Sequence, residues 1–425
     1  MLKIRSRVNN SDMSSIREES QNESLTSLRK KEEKSVPVDE VDFPRPEMHV
    51  TNWEIIALVV SIVSHVIDVG IDVYLSCRYY VAGQMLEFGL TIFFILFPAL
   101  LNTVISIRMY VMDKDDVSVA KKATGLWVIR VLVLLFQLAP ILRYCESLAY
   151  ALQSRRAEKA RDGHGQRRFY ELMLKEDSDV ALLRVFECFL EAAPQQVLQI
   201  SILLANTGRR LGDLQVLTQA ASILSSLFSM GWSMASYHRS IRFVQKDKDN
   251  ISWPGTVMQF LWHFPITVSR ILSISAIASV CPYWMAGAVV VHWLVMSAWI
   301  SVLDRTQFCV STRGDPWRQK VGETLFSFVL GLVYVFTYLT PGEGRTRNRF
   351  LVFYSLCFAE NMAAVGTWAA LAGDETRGRW FFLPLTCGAA VSYVLGVCFM
   401  LVYYRFFHPR RVSPPHSPAA ATRTS

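Results

Sequence analysis

A ladder of charged and amide side chains runs along one apolar stretch of the chain, residues 180–204. The stretch is long enough to cross a bilayer as a helix. Its polar residues lie three or four positions apart and are Arg184, Glu187, Glu191, Gln195 and Gln199. On a helix they fall within an arc of roughly 120° and over about 22 Å of the axis. Ionisable residues cost roughly 2.5–3.5 kcal/mol each at the bilayer centre, so this polar ladder predicts a polar route through the membrane.

Three other apolar stretches carry similar residues. They are Ser61, His65, Asp68 and Asp72 in residues 55–76, Gln259, His263, Arg270 and Ser273 in residues 256–280, and Glu360 with Asn361 in residues 350–372. Acids and bases occur in comparable number, which suits a zwitterion such as a phospholipid headgroup better than an ion of one sign. We therefore predict a lipid path lined by Asp68, Asp72, Arg184, Glu187, Glu191, Gln195, Arg270 and Glu360.

Two other interpretations of these charges stay open. Buried charges need partners, so the acids could pair with arginines and hold the helices in register. The residues concerned are Asp68, Asp72, Glu187 and Glu191 with Arg130, Arg184 and Arg270. Paired carboxylates could also bind calcium, although the arginines would compete for the same oxygens. Locking a helix needs one or two polar contacts rather than five, which favours the lipid path.

The sequence shows no motif of an enzyme or a cofactor site. It lacks GxSxG, HExxH and GxxxxGK[ST] patterns. Its eight cysteines show neither CxxC nor Cys/His ligand spacing. The net charge of +8 is spread over loops between apolar stretches, which argues against nucleic acid. We predict a protein that is not an enzyme, with no cofactor, no metal and no nucleic-acid partner.

Ten apolar stretches could supply the helices that position these residues. They are residues 55–76, 85–107, 125–141, 180–204, 216–237, 256–280, 284–303, 321–341, 350–372 and 381–404. If all ten crossed from a cytosolic N-terminus, the basic residues of loop 142–179 would face outward, against the positive-inside rule. Making 125–141 and 321–341 re-entrant places the strongly basic loops inside. The predicted fold is an all-α polytopic membrane protein with about eight transmembrane helices plus two re-entrant helices and with cytosolic termini.

This scheme divides the chain into two pseudo-symmetric halves of similar plan. The sequences CFLEAA, residues 188–193, and CFAENM, residues 357–362, occupy matching places in them. Four spans per half predict a parallel repeat about an axis along the membrane normal. The predicted regions are a disordered cytosolic regulatory tail at 1–50, a first membrane repeat at 51–240, a second at 241–407, and a short cytosolic tail at 408–425.

Residues 182–204, LLRVFECFLEAAPQQVLQISILL, resemble the signature helix of the XK-related membrane proteins. The resemblance extends over about residues 53–407 and includes the segments SHVIDVGIDVYLS and WHFPITVSRILSI. It implies a phospholipid scramblase that exposes phosphatidylserine in dying cells after a caspase removes a terminal segment. It implies a headgroup path along the predicted acids and arginines, with acyl tails left in the lipid. It also implies a plasma-membrane location and, for some members, a single-pass immunoglobulin-like chaperone subunit.

The polar N-terminal tail contains the tetrapeptide Asp39, Glu40, Val41 and Asp42, about ten residues before the first apolar stretch. It looks like the preferred site of executioner caspases, with the cut after Asp42 in an accessible segment. Vertebrate members of the resembled family are typically cut in the C-terminal tail, but a nematode member is cut near its N-terminus. The C-terminal tail here contains no Asp. Phe43 disfavours rapid cutting, because small residues are preferred after the bond.

Two functions of other classes stay open. Some XK-like proteins are membrane scaffolds that partner a protease-like glycoprotein or a bridge-type lipid-transfer protein, and the caspase-like sequence would then be incidental. A solute transporter would also suit a parallel repeat with charges near the midplane. Lipid scrambling by the cleaved protein alone would favour the first function over the scaffold, and saturable uptake of a solute would favour the transporter.

Overall fold

The computed structural model describes residues 49–114, 139–205, 213–244, 250–303, 316–339 and 347–408. Nearly all of these residues are helical, and they include no β-strand. Together with the apolar helices described below, this confirms the predicted all-α polytopic fold. The predicted cleavage site at residues 39–43 lies outside the described residues, as does nearly all of the predicted re-entrant segment 125–141.

The described helices follow one another with short connections. They are α1 (Asn52–Val81), α2 (Met85–Lys114), α3 (Ala139–Lys159), α4 (Gly163–Glu187), α5 (Ala193–Ala205), α6 (Asp213–Val244), α7 (Trp253–Val280), α8 (Pro282–Leu303), α9 (Pro316–Tyr334), α10 (Arg347–Leu371), α11 (Asp374–Arg377) and α12 (Phe382–Val402). A π-helical turn, Cys188–Ala192, joins α4 to α5, and a second one, Tyr403–Phe407, extends α12.

Within the described part of the chain, seven helices are long and apolar enough to cross a membrane. They are Asn52–Val81, Met85–Tyr110, Gly163–Ala205, Trp253–Val280, Pro282–Val302, Arg347–Leu371 and Phe382–Phe407. The sequence predicts about eight spans, and the difference is α6, which covers the predicted span 216–237 but is rich in serine. The repeat boundaries and the cytosolic position of the termini stay predictions.

Helix α7 is the central helix of the compact unit that begins at Val50. It packs against α5, α6, α8, α10 and α12, and about two thirds of its apolar stretch is buried. It begins where the Ser252 hydroxyl accepts a hydrogen bond from the Gly255 amide. Helix α1 is its opposite, because it packs mainly on α2 and α3 and leaves most of its valines and isoleucines exposed. The exposed apolar face of α1 is what a lipid-facing helix requires.

The segment 142–179, predicted as a basic loop, is instead a helical hairpin of α3 and the first half of α4. The segment still connects candidate spans, as predicted, because α3 is not one of them. The sequence prediction did not give its helices, because hydropathy counts charges without their partners. Arg143 is fully buried and donates to Glu176 Oε2 and to Asp179 Oδ2, both at 2.8 Å. Its guanidinium also lies 3.8 Å from the centre of the Tyr110 ring, so α2, α3 and α4 meet at this arginine.

The predicted re-entrant segment 321–341 forms most of α9 and then leaves the helical conformation. The chain after Tyr334 turns, and residues 335–339 are buried without forming a helix. The carbonyl oxygen of Val335 accepts a hydrogen bond from Arg270 Nε at 2.7 Å. Non-helical backbone at membrane depth is tolerated where protein satisfies it in this way. The re-entrant course of α9 itself stays a prediction.

Glycine allows α12 to approach α7 closely. A Cβ placed on Gly396 would lie 2.9 Å from the Trp262 carbonyl oxygen and 2.5 Å from Ile266 Cγ1. Real Cβ atoms essentially never lie this close to backbone atoms, so one of the two helices would have to shift. This is the small-residue contact by which membrane helices pack when no hydrophobic driving force acts between them.

Gly396→Ala is therefore expected to lower the free energy of unfolding in detergent by about 1–3 kcal/mol, the usual effect of overpacking. The measurement is the thermal midpoint of the purified protein, followed by size-exclusion chromatography. Gly388→Ala is the matched control, because Gly388 lies in the same helix and, apart from that helix's own nearby backbone, no described atom lies within 4 Å of the place its Cβ would take. Equal midpoints for the two variants would contradict the close contact.

Candidate functional site

Four of the eight predicted path residues, together with residues outside that prediction, form two interior clusters, one in each predicted repeat. The first-half cluster consists of His65, Arg184 and Glu187, from α1 and α4. The second-half cluster consists of Arg270, His292, Glu360 and Asn361, from α7, α8 and α10. All of these residues lie inside candidate spans.

In the first-half cluster, the carboxylate of Glu187 binds two cationic or polar groups. Arg184 Nη1 donates to Glu187 Oε1 at 2.9 Å, and His65 Nδ1 lies 3.1 Å from the same oxygen. Arg184 Nη2 also reaches Ser229 Oγ on α6, at 3.4 Å. Glu187 thus connects the peripheral α1 to the interior of the protein, and Arg184 connects α4 to α6.

In the second-half cluster, Arg270 donates three hydrogen bonds. Its Nη2 donates to Glu360 Oε2 at 2.6 Å, its Nη1 to Asn361 Oδ1 at 2.9 Å, and its Nε to the Val335 carbonyl oxygen at 2.7 Å. The amide nitrogen of Asn361 in turn donates to Ser269 Oγ on α7 at 3.2 Å. A single buried guanidinium therefore fixes α7, α10 and the chain that follows α9.

The two clusters have the same plan. In each one a glutamate of the predicted third span of its repeat contacts both an arginine and a histidine. This agrees with the pairing interpretation for Arg184 and Glu187, whereas the partner of Arg270 is Glu360 rather than one of the acids named for it. These arginines and glutamates have a structural role whatever else they do.

The polar ladder is interrupted by the π-helical turn Cys188–Ala192. The amide of Ala193 donates to the carbonyl of Cys188, five residues earlier, instead of four. Pro194 explains the turn, because it has no amide hydrogen to offer the Leu190 carbonyl and its ring would collide with that group. The turn changes the angular spacing on which the predicted 120° arc is based, and such turns occur often at functional sites.

Two ladder residues, and one neighbour of the ladder, have buried polar atoms without a partner among the described residues. The ladder atoms are Glu187 Oε2 and Gln195 Nε2, and the neighbouring atom is Gln196 Oε1. Helix α7, which packs against α5, adds Gln259 Oε1 and His263 Nε2. Buried polar groups are hydrogen-bonded in the great majority of cases. The interface of α4, α5 and α7 therefore offers donors and acceptors that suit a polar or hydrated occupant.

The remaining predicted residues differ in their burial. Gln195 is buried, and Glu191 and Gln199 are half-buried on the same continuous helix. Asp72 is half-buried on α1. The side chain of Asp68 lies outside the part of the chain that the structure describes.

Three residues of the interior are absent from the sequence prediction. The sequence does not mark His292 as a functional residue, because it is the single histidine of its apolar stretch. Arg143 counts there as a loop charge, although Glu176 and Asp179, three residues apart on one helix face, signal a cationic partner. Gln196 falls outside the regular spacing of the ladder. The π-helical turn just before it changes that spacing, and the sequence does not reveal this turn.

Comparison with known proteins gives a family and a number of similar proteins, including two that share a name. Residues 56–409 match the XK-related protein family. Cell death abnormality protein 8 of Caenorhabditis elegans is 26% identical over 388 residues, which cover 86% of this chain and 81% of that protein. The protein of the same name from Caenorhabditis briggsae is 27% identical over 389 residues, with the same coverage of both chains.

Proposed function

Because the chain belongs to the XK-related family, we propose that it is a phospholipid scramblase, which moves phosphatidylserine and other lipids between leaflets without ATP. Caspase cleavage after Asp42 activates it in apoptosis. The names of the two similar proteins support the link to cell death. The observation that carries the proposal is the set of buried polar atoms along α4, α5 and α7 that have no partner among the described residues.

A headgroup needs both acceptors and donors along its route, because phosphate is anionic and the amine is cationic. Glu187 Oε2 and Gln196 Oε1 are acceptors, and Gln195 Nε2 is a donor. The route has an apolar flank at α1, whose exposed valines and isoleucines face outward. Acyl tails can stay beside that helix in the lipid while the headgroup follows the polar interior. The arginine and glutamate pairs hold the route in shape.

The position of the cut relative to the folded part supports regulation by removal of the tail. Val50 is buried, and its carbonyl oxygen accepts a hydrogen bond from Arg155 Nε of α3 at 2.7 Å. Thr51 and Glu54 then form a reciprocal capping box that starts α1. A cut after Asp42 leaves both contacts intact. Cleavage therefore removes residues 1–42 without removing either contact at the start of α1.

The partners follow from this function. They are membrane phospholipids, an executioner caspase and a single-pass immunoglobulin-like chaperone subunit, and the protein resides in the plasma membrane with both termini cytosolic. The membrane scaffold and the solute transporter remain the competing functions. A scaffold needs no polar interior, so the buried amides of Gln195 and Gln196 favour transport of a polar species, and the family favours lipid over solute.

The double variant Gln195→Leu, Gln196→Leu tests the path. Leucine is close in size to glutamine, and the substitutions remove two buried amide atoms, Gln195 Nε2 and Gln196 Oε1, that make no hydrogen bond within the described structure. Loss of these two atoms removes no hydrogen bond, which offsets the cost of losing the other atom of each amide. We expect an unchanged or raised thermal midpoint. We also expect the cleaved variant to scramble about tenfold more slowly, because losing one hydrogen bond to the passing headgroup raises the barrier by roughly 1.4 kcal/mol. The measurement is dithionite quenching of fluorescent phosphatidylserine in liposomes that contain only the purified protein.

Thr386→Val on α12 is the control, because it also removes a polar group from a span but lies away from the ladder; its hydroxyl donates to the Phe382 carbonyl. It should scramble at the wild-type rate. If the double variant also scrambles at that rate, headgroups do not use this helix. If cleaved wild-type protein alone moves no lipid, the scaffold is favoured, and saturable uptake of a soluble substrate would favour the transporter.

A further inference from the structure

We propose that His292, Cys357 and Glu360 bind a zinc ion in the interior of the second repeat. A ring nitrogen of His292, the Sγ atom of Cys357 and a carboxylate oxygen of Glu360 all lie within 4.8 Å of one another. It is the one such group of histidine, cysteine and acid donors among the described residues. The site goes beyond the lipid path and does not depend on it.

The three ligands come from two helices of the bundle. His292 belongs to α8, and Cys357 and Glu360 are three residues apart on one face of α10. His292 and Cys357 are almost fully buried, whereas about a third of the Glu360 side chain is exposed. The donor atoms are thus held in a shielded place that an ion can reach past the glutamate.

The hydrogen bonds of His292 leave Nδ1 facing another acceptor. Its Nε2 lies 3.1 Å from the Tyr334 carbonyl oxygen, which can only accept, so Nε2 is a ring nitrogen that carries a hydrogen. Its Nδ1 faces Glu360 Oε1, 2.8 Å away, and an ionised carboxylate oxygen also only accepts. Two lone pairs at this distance require a proton or a cation between them. A histidine that binds a metal through one ring nitrogen usually donates the hydrogen of the other to a carboxylate, a backbone carbonyl or water.

Arg270 orients Glu360 by a hydrogen bond, as neighbouring residues do for carboxylates that bind metals. Arg270 Nη2 holds Oε2 at 2.6 Å, which leaves Oε1 directed at His292. Zinc at about 2.0–2.3 Å from each donor separates the donors by roughly 3–4 Å. Nδ1 and Oε1 would move apart slightly and the sulfur would move inward. Nitrogen, thiolate and carboxylate together suit Zn²⁺ better than Ca²⁺ or Mg²⁺, which take oxygen ligands.

The charges also balance. Binding of Zn²⁺ displaces two protons, one from the Cys357 thiol and one from between His292 and Glu360. Two positive charges enter and two leave, so the charge of the site is unchanged. This matters in an apolar interior, where an added charge is costly. Three protein ligands leave a fourth position for water or another oxygen donor. No spacing pattern signals the site, because His292 and Cys357 lie far apart in the chain.

The metal content of the purified full-length protein tests the proposal directly. The protein is equilibrated with zinc, passed through a gel-filtration column and analysed by mass spectrometry for zinc per chain. We expect about one zinc ion per chain in the wild type. Cys357→Ser and His292→Gln should weaken binding at least 10–100-fold, roughly what loss of an outer-shell partner alone costs. Cobalt loading should give a thiolate-to-cobalt charge-transfer band that Cys357→Ser abolishes.

Cys188→Ser is the matched control, since Cys188 is the buried counterpart of Cys357 in the CFLEAA sequence of the first repeat. It should retain both the zinc and the cobalt band. Folded wild-type protein that holds no zinc and gives no cobalt band would overturn the proposal, and a proton would then bridge His292 and Glu360. A band that survives Cys357→Ser, or that Cys188→Ser removes, would overturn it equally. None of these readouts involves lipid transport.

Discussion

Asp42→Ala is expected to abolish both the N-terminal fragment and the caspase-dependent exposure of phosphatidylserine. A caspase cuts after aspartate, and Asp42 is the residue at which the recognition sequence Asp39, Glu40, Val41, Asp42 ends. Without the cut, residues 1–42 stay attached to the anchored segment at Val50. The measurement is phosphatidylserine exposure in cells that express the wild type or the variant, before and after an executioner caspase is activated, with a gel for the fragment.

Two control proteins sharpen this experiment. Asp12→Ala removes another aspartate of the tail and should leave both cutting and exposure unchanged. Replacing residues 39–42 with the site of an unrelated protease should transfer control to that protease. Exposure that persists in Asp42→Ala without a fragment would make the DEVD sequence incidental and would favour a constitutive scramblase or a scaffold. Exposure that fails even after the unrelated protease cuts would mean that tail removal is insufficient.

The lengths of the apolar helices can be predicted because hydropathy alone sets them. The predicted stretch 284–303 corresponds to α8, Pro282–Leu303, and 350–372 corresponds to α10, Arg347–Leu371. Helices in charged segments are harder to predict from the sequence. The hairpin of α3 and α4 resembles a loop in sequence because its charges suggest solvent, whereas Arg143 is buried among acids. Pairing across helices is invisible to a scale that scores residues one at a time.

The candidate site is predictable to the extent that buried charges are expensive. Glu187, Arg270 and Glu360 stand out because each is an ionisable residue in an apolar stretch. Their partners cannot be predicted, since contacts between helices depend on rotation about each helix axis. The π-helical turn before Pro194 alters that rotation within the ladder itself. His292 has no local signal, and only the packing of α8 against the rest of the bundle gives it two oxygen partners.

The structure divides the predicted path residues by their partners. Arg184 and Arg270 already bind glutamates, so a passing headgroup would have to compete with strong ion pairs. Gln195 and Gln196 have buried atoms with no partner among the described residues, so a headgroup could bind them without breaking anything. The pairing and path interpretations are therefore compatible. The charges maintain the shape of the interior, and the amides supply its binding capacity.

Arg270→Met is expected to remove most of the folded protein, which tests this division of roles. The substitution leaves Glu360, a partly buried charge, with His292 as its remaining partner and leaves the Val335 carbonyl oxygen without its donor. Breaking a buried pair by removing one partner typically costs about 3–5 kcal/mol. The measurement is the yield and thermal midpoint of the variant in detergent. Adding Glu360→Gln should restore part of the midpoint, because the charge of Glu360 is then gone.

Arg379→Met is the control, because it shows whether the stability loss of Arg270→Met is specific to that position or follows from replacing an arginine at any position. Arg379 Nη2 also lies 2.6 Å from a glutamate, Glu375, but both side chains are substantially exposed. Exposed pairs contribute roughly 0–1 kcal/mol, so this variant should fold normally. If Arg270→Met were as stable as Arg379→Met but scrambled slowly, Arg270 would belong to the headgroup path rather than to its frame. A large loss of stability that Glu360→Gln partly reverses identifies Arg270 instead as the residue that holds the second repeat together.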